Sequence, residues 1–436
     1  MFVFKICSER VFTKVQIILP KKLETEEKLA LMQADAEFEV GSDGDAELTA
    51  AAFASAIKGR PAPAKVPKLF LASSCIFNCA YCSCRCGGEE RLHYCNSPAE
   101  LARLAAAAAS ENGHGVFLSS AIYRNADYTQ ELLAEASRIL REDIGYKGYL
   151  HTKIMPGADP ALIAKTGRYA SRLSVNIEVV HSTVFSRIAK QKNKQNILGP
   201  LRQISLQIRQ AREEKRPFAV GQTTQLMAGS SDETDRTILT LSDALYRTYR
   251  LKRVYYTPFQ YRHAAKGYEA ENLPMRQTPR WRMTRLYQAD RLIQLYGFTP
   301  DDVTPENDPY LHQELDPKTT WALRHLDLYP VEVNQADFET LIRVPGIGIT
   351  YANRILEARR HATVTHELLK KMRISLKRCT YFITCNGKYR GGSMLDSSDL
   401  WRLLTDGAAQ SDGSPASDRQ DEPAIQKTGI SWDKSL

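Results

Sequence analysis

The chain has 436 residues and a formal net charge of +9, and 43% of its residues are hydrophobic. These values are typical of a soluble globular protein of about two to four domains, and the positive charge permits a polyanionic partner. No apolar run reaches the roughly 18 residues of a membrane-spanning helix, and the N-terminal stretch lacks a signal-peptide pattern. We therefore exclude an integral membrane protein and a secreted one, and we expect a cytoplasmic protein with no membrane partner.

The chain divides by composition into five segments. Residues 1–66 are an acidic, Ala-rich extension that ends in a Pro/Lys linker, and residues 67–260 alternate apolar strand patterns with helix patterns. Residues 261–330 are an Arg- and Tyr-rich helical connector, and residues 331–390 contain two short helix patterns around a glycine-rich turn. Residues 391–436 are rich in Ser, Asp, Gly and Gln, which predicts a disordered tail.

Six strand patterns alternate with helix patterns in the second segment. The strand patterns cover residues 68–73, 115–120, 148–154, 172–180, 218–229 and 252–259. The helix patterns cover residues 98–110, 128–143, 158–170, 198–214 and 233–249. Asp159 and Pro160 form one helix start, with the aspartate as the N-cap. Repeated β/α units predict an α/β fold with a parallel sheet that is curved or closed as a barrel.

Three cysteines directly follow the first strand pattern. Cys75, Cys79 and Cys82 have the spacing C-x3-C-x2-C. In a parallel barrel, the loop after a strand opens at the carboxyl face, where catalytic groups lie. Three cysteines can bind a [4Fe–4S] cluster and leave one iron open for a further ligand. The spacing therefore favours an iron–sulfur cluster at this face.

Two other interpretations of these cysteines remain open. A structural zinc site would need a fourth ligand, and the candidates nearby are Cys84, Cys86, Cys95 and His93. The alternative is that all the thiols only pack inside the fold. We favour an accidental role for the three later cysteines, because an auxiliary cluster normally needs four well-placed thiols.

The cysteine spacing, with Tyr81 just before the last cysteine and a strand before the first, resembles the radical S-adenosylmethionine (SAM) superfamily. The resemblance implies a partial (β/α)6 barrel of the TIM type. It also implies that Cys75, Cys79 and Cys82 hold the cluster, that SAM binds the open iron, and that Tyr81 lies near the adenine. Reductive cleavage of SAM would give a 5′-deoxyadenosyl radical that abstracts hydrogen from a substrate.

The same resemblance indicates which strand ends would contact SAM. Ser119 and Ser120 occupy the position of a Gly-Gly-Glu-type segment, so this match is positional only. Period-two alternation places Asn176 and Glu178 on one face of the fourth strand, toward the ribose hydroxyls. The full set of expected SAM contacts is Tyr81, Ser119, Ser120, Asn176, Glu178, Gln222 and Thr224. The alternative for each is a polar residue hydrogen-bonded at a strand end.

The segment 333–360 has two helix patterns on either side of a Val-Pro-Gly-Ile-Gly turn, and Asn334 is the expected cap of the first helix. The two glycines permit positive φ and let a polyanion approach the backbone amides. This pattern resembles a small all-α helix-hairpin-helix domain, which binds the DNA backbone without reading sequence, although some such modules mediate only protein contacts. The expected nucleic-acid contacts are Arg343, Gly346, Ile347, Gly348 and Arg354.

The order of barrel, connector and helix-hairpin-helix resembles the DNA modification/repair radical SAM proteins, which are associated with a uracil-DNA-glycosylase-like partner. The stretches that carry this resemblance lie between about residues 68 and 390. They include CIFNCAYC, FLSSAIYRNADYT, GQTTQLMAG, LYRTYRLKRVYYTPF and VNQADFETLIRVPGIG. Residues 35–66 lack the further Cys-bearing motifs of the relatives.

We therefore expect a radical SAM enzyme that acts on DNA and takes electrons from a donor such as flavodoxin or ferredoxin. The helix-hairpin-helix would dock the duplex, and the barrel would receive an extruded or damaged base. One alternative keeps the chemistry and makes the substrate RNA, especially tRNA. Another is a non-catalytic nucleic-acid-binding scaffold with a structural zinc.

Overall fold

The computed structural model describes residues 32, 66–86, 93–112, 115–259, 278–374, 376–392 and 397–409. Apart from Met32 and Val66, the predicted N-terminal extension lies outside these residues, and so does the tail from residue 410. Met32 is helical and buried in the hydrophobic core. None of the helices in the described ranges is long and apolar enough to cross a membrane.

The larger sheet has six parallel strands that are hydrogen-bonded in chain order. They are β1 (Lys68–Phe70), β2 (Val116–Ser119), β3 (Leu150–Lys153), β4 (Arg172–Ser174), β5 (Gln222–Ala228) and β6 (Arg253–Pro258). The helices between them are α1 (Pro98–Asn112), α2 (Ala126–Glu142), α3 (Pro160–Tyr169), α4 (Phe185–Ile188), α5 (Lys194–Glu213) and α6 (Asp235–Tyr249). A short 3-10 helix, Ser182–Val184, precedes α4. This confirms the predicted α/β fold with a parallel sheet.

The strand order distinguishes this sheet from a doubly wound one. A doubly wound sheet reverses direction at a switch point, whereas a barrel adds each new strand beside the previous one. All five pairings here join consecutive strands. The topology is therefore that of a (β/α)6 array.

Local sequence signals explain where several helices begin. Asn125 caps α2 by accepting from the Tyr128 amide, and Thr234 caps α6 in the same way. Asp159 caps α3 and Pro160 follows it at the first position, as predicted. Such caps pair amides that a helix cannot satisfy internally, so they fix the ends of the strand-to-helix loops.

The two faces of the sheet differ in polarity. Leu118, Leu150 and Leu173 are fully buried, and Leu118 and Leu173 lie on one face by strand register. On the other face, Phe117 stacks on His151 with 4.0 Å between ring centroids. The Lys68 ammonium lies 4.4 Å from the centroid of Phe117. The second face therefore carries cationic and aromatic side chains toward the amino ends of the strands.

The connector consists of α7 (Arg280–Leu295), α8 (Pro300–Val303) and α9 (Pro317–Arg324), followed by the 3-10 helix Leu326–Leu328. The connector packs on the last β/α unit of the barrel, since α7 contacts both α6 and β6. The Tyr287 hydroxyl of α7 accepts from the Tyr256 amide at 3.0 Å. The barrel core, connector and C-terminal unit share one continuous cluster of buried side chains.

The C-terminal unit is not all-α, contrary to the prediction. It contains a three-stranded sheet of β7 (Val331–Glu332), β8 (Ile383–Cys385) and β9 (Lys388–Tyr389). Strands of two or three residues are too short to produce a readable alternation, so the sequence does not reveal them. The helices of this unit are α10 (Phe338–Arg343), α11 (Ile349–Ala358), α12 (His366–Lys371) and α13 (Leu376–Cys379).

The predicted disorder from residue 391 is also wrong for part of that segment. Ser397–Ala409 form α14, which contacts α9. Leu400 and Leu404 are buried and lie four residues apart, so they share one helix face. Trp401 meets His312 edge-on, with 4.4 Å between ring centroids. This single apolar face is what orders the helix.

Candidate functional site

The cysteine loop, residues 75–86, is folded on itself. The Cys75 amide donates to the Cys84 carbonyl at 3.1 Å, and the Cys86 amide donates to the Phe77 carbonyl at 3.0 Å. A tight turn brings the Cys82 amide to the Cys79 carbonyl at 3.0 Å. These backbone bonds give the loop a defined shape.

The loop is anchored to segments that follow three other strands. The Ile76 amide donates to the Ile122 carbonyl after β2 at 2.9 Å, and the Ala80 amide donates to the Ile188 carbonyl in α4, which follows β4, at 2.8 Å. The Tyr81 ring meets Phe259 after β6 with 6.4 Å between centroids. In a flat sheet, β1 and β6 would lie about 24 Å apart. Because one compact loop contacts segments that follow β2, β4 and β6, the sheet must be curved. The carboxyl ends of its strands therefore converge on an opening, and the loop spans this opening.

Three thiols are gathered on this loop in an environment of low polarity. Burial, together with the neighbouring Cys82 and Cys79, raises the pKa of Cys75 to about 12. Burial, with a contribution from Cys82, likewise raises the pKa of Cys79 to about 12. The thiols thus lie close enough to repel each other when deprotonated. Soft thiolate donors of this kind fit an iron–sulfur cluster, whose iron ions would balance their charge.

The remaining cysteines near the loop make local contacts. The Cys86 thiol donates to the Ile76 carbonyl at 3.3 Å, and the Cys95 thiol lies 4.0 Å from the Asn96 carbonyl. Cys84 is buried beside Ser83. Although the three motif cysteines share one loop, neither they nor any other three His, Cys, Asp or Glu side chains in the described ranges are arranged around a single metal ion.

A buried hydrogen-bonded chain, which we call the lysine triad, connects Glu178, Lys192 and Tyr81. The Lys192 ammonium donates to the Glu178 carboxylate at 2.8 Å and to the Tyr81 hydroxyl at 2.9 Å. The side chains of Lys192 and Glu178 are only 9% and 7% exposed. The sequence does not predict Lys192 as a residue of this site. It lies in the polar run KQKNKQN, a composition that is typical of a solvent-exposed surface.

The residues of the lysine triad change the pKa of Cys79. Burial has the largest effect on the pKa of Cys79 and raises it, but Lys192 lowers it and so does a hydrogen bond from Tyr81. Glu178 raises the pKa of the same thiol. The two charges of the ion pair therefore have opposite effects on a cysteine of the proposed cluster site.

Glu178 is fixed by its backbone as well as by its side chain. Its φ is +67°, and its amide donates to the Gln225 carbonyl of β5 at 2.9 Å. β4 ends at Ser174, so the long strand predicted over 172–180 is interrupted. The carboxylate is thus turned toward Lys192, where it forms an ion pair. Its predicted contact with a ribose is not what this geometry favours.

The other predicted SAM contacts fall into two groups, and the first lies at the carboxyl ends of the strands. Ser119 ends β2, and its hydroxyl is buried without a hydrogen-bond partner among the described residues. Ser120 donates to the Ala121 carbonyl at 2.6 Å. Asn176 follows β4 and is partly exposed. Ser119 is thus the polar group in this set that most needs a partner.

The second group, Gln222 and Thr224, is used inside the fold. Gln222 begins β5, and its side chain donates to the carbonyls of Leu201 at 3.2 Å and Tyr249 at 3.0 Å. The Thr224 hydroxyl donates to the Val175 carbonyl at 2.6 Å and accepts from the Ile177 amide at 2.9 Å. The Thr224 hydroxyl is therefore hydrogen-bonded to the segment that follows β4, and the Gln222 amide group to carbonyls of α5 and α6. The Gln222 side-chain oxygen is buried without a hydrogen-bond partner among the described residues. Contact of either residue with SAM stays a prediction.

The turn between α10 and α11 is the second predicted site. Asp337, not Asn334, caps α10 by accepting from the Thr340 amide at 2.8 Å. Gly346 has a φ of +84°, a conformation that glycine adopts without strain. Gly348 is the N-cap of α11 and supplies no side-chain cap. The first amides of α11 thus keep their capacity to bind an anion.

The other predicted contacts of this turn differ in accessibility. Arg354 is exposed on α11, whereas Ile347 is fully buried and anchors the turn. The Arg343 guanidinium lies over Phe298 and Trp321, at 4.5 and 4.9 Å from their ring centroids. Arg343 therefore packs on the connector, and its contact with a phosphate stays a prediction.

Lys318 of α9, a second buried lysine, is hydrogen-bonded to the backbone of this turn. The Lys318 ammonium of α9 donates to the carbonyls of Ile347 at 2.6 Å and Val344 at 3.1 Å. It also lies 4.9 Å from the centroid of Tyr296. Burial lowers the pKa of Lys318 to about 7. No local sequence pattern predicts this contact, because Lys318 lies 26 residues before Val344.

No family model matches the chain, and no curated protein matches it. Among solved structures, the chain is similar to the [FeFe]-hydrogenase maturase HydG from Carboxydothermus hydrogenoformans, with 15% identity and a TM-score of 0.42 over 62% of this chain and 64% of that one. A second HydG structure gives 10% identity and a TM-score of 0.40 over 90% of this chain and 91% of that one.

The chain is also similar to the radical SAM methyltransferase TsrM from Kitasatospora setae, whose structure contains cobalamin and a [4Fe–4S] cluster. The identity is 12% and the TM-score 0.32, over 45% of this chain and 37% of that one. The chain thus spans less than two thirds of the methyltransferase and of the first maturase structure. All three TM-scores lie below 0.5, a range in which superposition does not establish a common fold.

Proposed function

We propose that this chain is a radical SAM enzyme. The observation that carries the proposal is the position of three cysteines, spaced C-x3-C-x2-C, on a loop that spans the carboxyl ends of a (β/α)6 sheet. Cys75, Cys79 and Cys82 would hold a [4Fe–4S] cluster, with SAM as its further ligand. When bound, this pair of cofactors supplies the electron transfer and the 5′-deoxyadenosyl radical that begin hydrogen abstraction.

The residues of the chain would then orient and shield these groups. The anchored cysteine loop fixes the three thiol positions relative to β2, β4 and β6. The Tyr81 and Phe259 rings lie across one side of the opening, where they exclude water. The unpartnered Ser119 hydroxyl and the partly exposed Asn176 are the candidates for polar contacts to SAM.

We further propose that the substrate is DNA. The features that favour it are the net charge of +9, the uncapped N-terminus of α11 beside Gly346, and the exposed Arg354. Backbone amides and arginines at such a turn bind phosphates without reading base sequence. The turn would hold the duplex while the barrel opening receives one base displaced from the stack.

The partners follow from this proposal. The cluster needs a low-potential electron donor, such as flavodoxin or ferredoxin. A uracil-DNA-glycosylase-like protein is a further partner that the sequence resemblance implies. Both belong to the cytoplasm, where reducing conditions keep thiols free.

The cluster assignment is tested with anaerobically purified, iron-reconstituted protein. Iron and sulfide content, visible absorbance and 5′-deoxyadenosine formation are measured after reduction in the presence of SAM. We expect a brown protein that cleaves SAM, and we expect Cys79→Ala to lose both properties. Cys95→Ala is the matched control, because it removes a nearby thiol outside the motif. A Cys79→Ala protein that still cleaves SAM would overturn the assignment.

The substrate class is tested by adding duplex DNA or RNA to the same assay. More 5′-deoxyadenosine with DNA supports the proposal, whereas a response only to RNA replaces DNA by RNA. Gly346→Glu places a carboxylate at the turn and should weaken DNA binding roughly tenfold, while SAM cleavage without substrate is unchanged. Unchanged DNA affinity in a direct binding titration would move the interface away from this turn.

A further inference from the structure

The segment that follows α4 supports the cysteine loop from one side. The Ile188 carbonyl accepts from the Ala80 amide at 2.8 Å, and the Gln191 side chain accepts from the Asn78 amide at 3.3 Å. The backbone at Lys192 is held by a bond from its amide to the Ala189 carbonyl at 2.8 Å. Residues 188–192 thus form a bracket that positions the Lys192 ammonium beside the loop.

The Lys192 ammonium is connected to the cysteine loop through Tyr81, because it donates to the Tyr81 hydroxyl at 2.9 Å. Burial raises the pKa of the Cys79 thiol, whereas Lys192 and a hydrogen bond from Tyr81 lower it. The ammonium also lies 5.4 Å from the centroid of the Tyr81 ring. On its other side, Lys192 forms the ion pair with Glu178 at 2.8 Å. A charged group therefore reaches the proposed cluster through one hydroxyl.

Burial makes these charges effective. Exposed ion pairs are screened by solvent, but both side chains here are less than a tenth exposed. A nearby cation stabilises the reduced, more negative form of an iron–sulfur cluster, and a nearby carboxylate destabilises it. A hydrogen bond to a ligand sulfur acts in the same direction as the cation. The two members of the pair should thus move the reduction potential in opposite directions.

We propose that the lysine triad sets the reduction potential of the cluster held by Cys75, Cys79 and Cys82, with Lys192 raising it and Glu178 lowering it. This inference rests on the proposed function, because it requires a redox cluster on these three cysteines. Lys192 and Glu178 are positioning residues in this role, since Lys192 acts through Tyr81 and Glu178 through Lys192. The pair lets the chain adjust how readily the cluster accepts an electron from its donor.

The test is an EPR-monitored redox titration of the reconstituted protein without SAM or substrate. Lys192→Met should lower the midpoint potential, and Glu178→Gln should raise it. We expect each change to alter the ratio of reduced to oxidised cluster by roughly tenfold at a fixed potential, which is about 59 mV for a one-electron couple. Lys192→Arg retains the charge and should stay close to the wild type.

The signs of the shifts in midpoint potential distinguish a charge effect from a purely structural role. Both Lys192→Met and Glu178→Gln break the same ion pair, so a structural role predicts shifts in one direction, whereas a charge effect predicts opposite ones. Lys190→Met is the matched control, because it removes an exposed cation two residues away. Shifts of the same sign, or no difference from Lys190→Met, would overturn the inference. A wild-type protein that binds no cluster would instead overturn the proposed function.

Discussion

Lys192 and Lys318, two lysines that are largely buried, have opposite electrostatic situations. Lys192 has a carboxylate partner at 2.8 Å, and although burial disfavours its charge, Glu178 and Tyr81 raise its pKa well above the ordinary value. Lys318 donates to two backbone carbonyls, and burial lowers its pKa to about 7. The partner, and not the degree of burial, therefore decides whether a buried lysine keeps its charge.

The amines of Lys192 and Lys318 also have different roles. At the cysteine loop, a permanent charge lies beside thiols that would become anionic, so it acts through its electric field. At the α10–α11 turn, the amine mainly supplies hydrogen bonds to carbonyls that would otherwise lack donors. Substitutions at the two positions should therefore differ in size and in their response to pH.

The largest effect on stability is expected at Lys192. Lys192→Met leaves the Glu178 carboxylate buried without its cation, which should reduce the free energy of unfolding by about 3–5 kcal/mol. Urea unfolding followed by circular dichroism measures this loss. The double variant Lys192→Met/Glu178→Gln removes both charges and should recover most of the stability. A double variant as unstable as the single one would show that packing, and not charge, holds the pair.

A smaller effect is expected at Lys318. Lys318→Met removes the donors of the Val344 and Ile347 carbonyls but also removes a costly buried amine, so the net loss at pH 7 should be about 2 kcal/mol. The same unfolding experiment measures it, with Lys370→Met on the exposed side of α12 as the control. A larger loss in the free energy of unfolding for Lys318→Met than for Lys192→Met would contradict the expected ranking.

The smallest effect is a pH dependence that only Lys318 should produce. Its pKa is about 7 in the folded protein and roughly 10.4 in an unfolded chain, so above pH 7 the unfolded state binds the additional proton. Stability conferred by this site therefore rises with pH, by about 1 kcal/mol between pH 7 and 8, and is level below pH 7. The difference between wild type and Lys318→Met at the two pH values measures it. An unchanged difference would mean that Lys318 stays charged.

The fold was largely predictable because its signals are local. Alternating strand and helix patterns placed all six strands of the parallel sheet, and Asp159 with Pro160 marked a helix start correctly. The cap of α10 was misplaced by three residues, since Asn334 instead accepts from the Val364 amide across the unit at 2.8 Å. Cap side chains have more than one possible partner, and only the tertiary structure chooses between them.

The candidate sites were only partly predictable, because their electrostatics depend on distant residues. The cysteine spacing identified the loop, but Lys192 reaches Tyr81 across 111 positions of the chain. The hydrogen bonds of Gln222 and Thr224 to carbonyls of other elements were not predictable, because polar residues in a strand can serve either a ligand or neighbouring carbonyls. Arg343 likewise found aromatic neighbours in the connector that no nearby sequence pattern reveals.

The anchoring of the cysteine loop has a consequence for how the protein would recover from oxidative damage. Backbone bonds to Ile122 and Ile188, together with the lysine triad, hold the loop without relying on metal–sulfur bonds. Many small metal-binding domains unfold when their metal is removed, because the metal is their main source of stability. If the loop binds the proposed cluster, the fold would remain intact after the cluster is lost. A cluster destroyed by oxygen could then be rebuilt in place by the cell's iron–sulfur assembly machinery, with no need to synthesise the chain again.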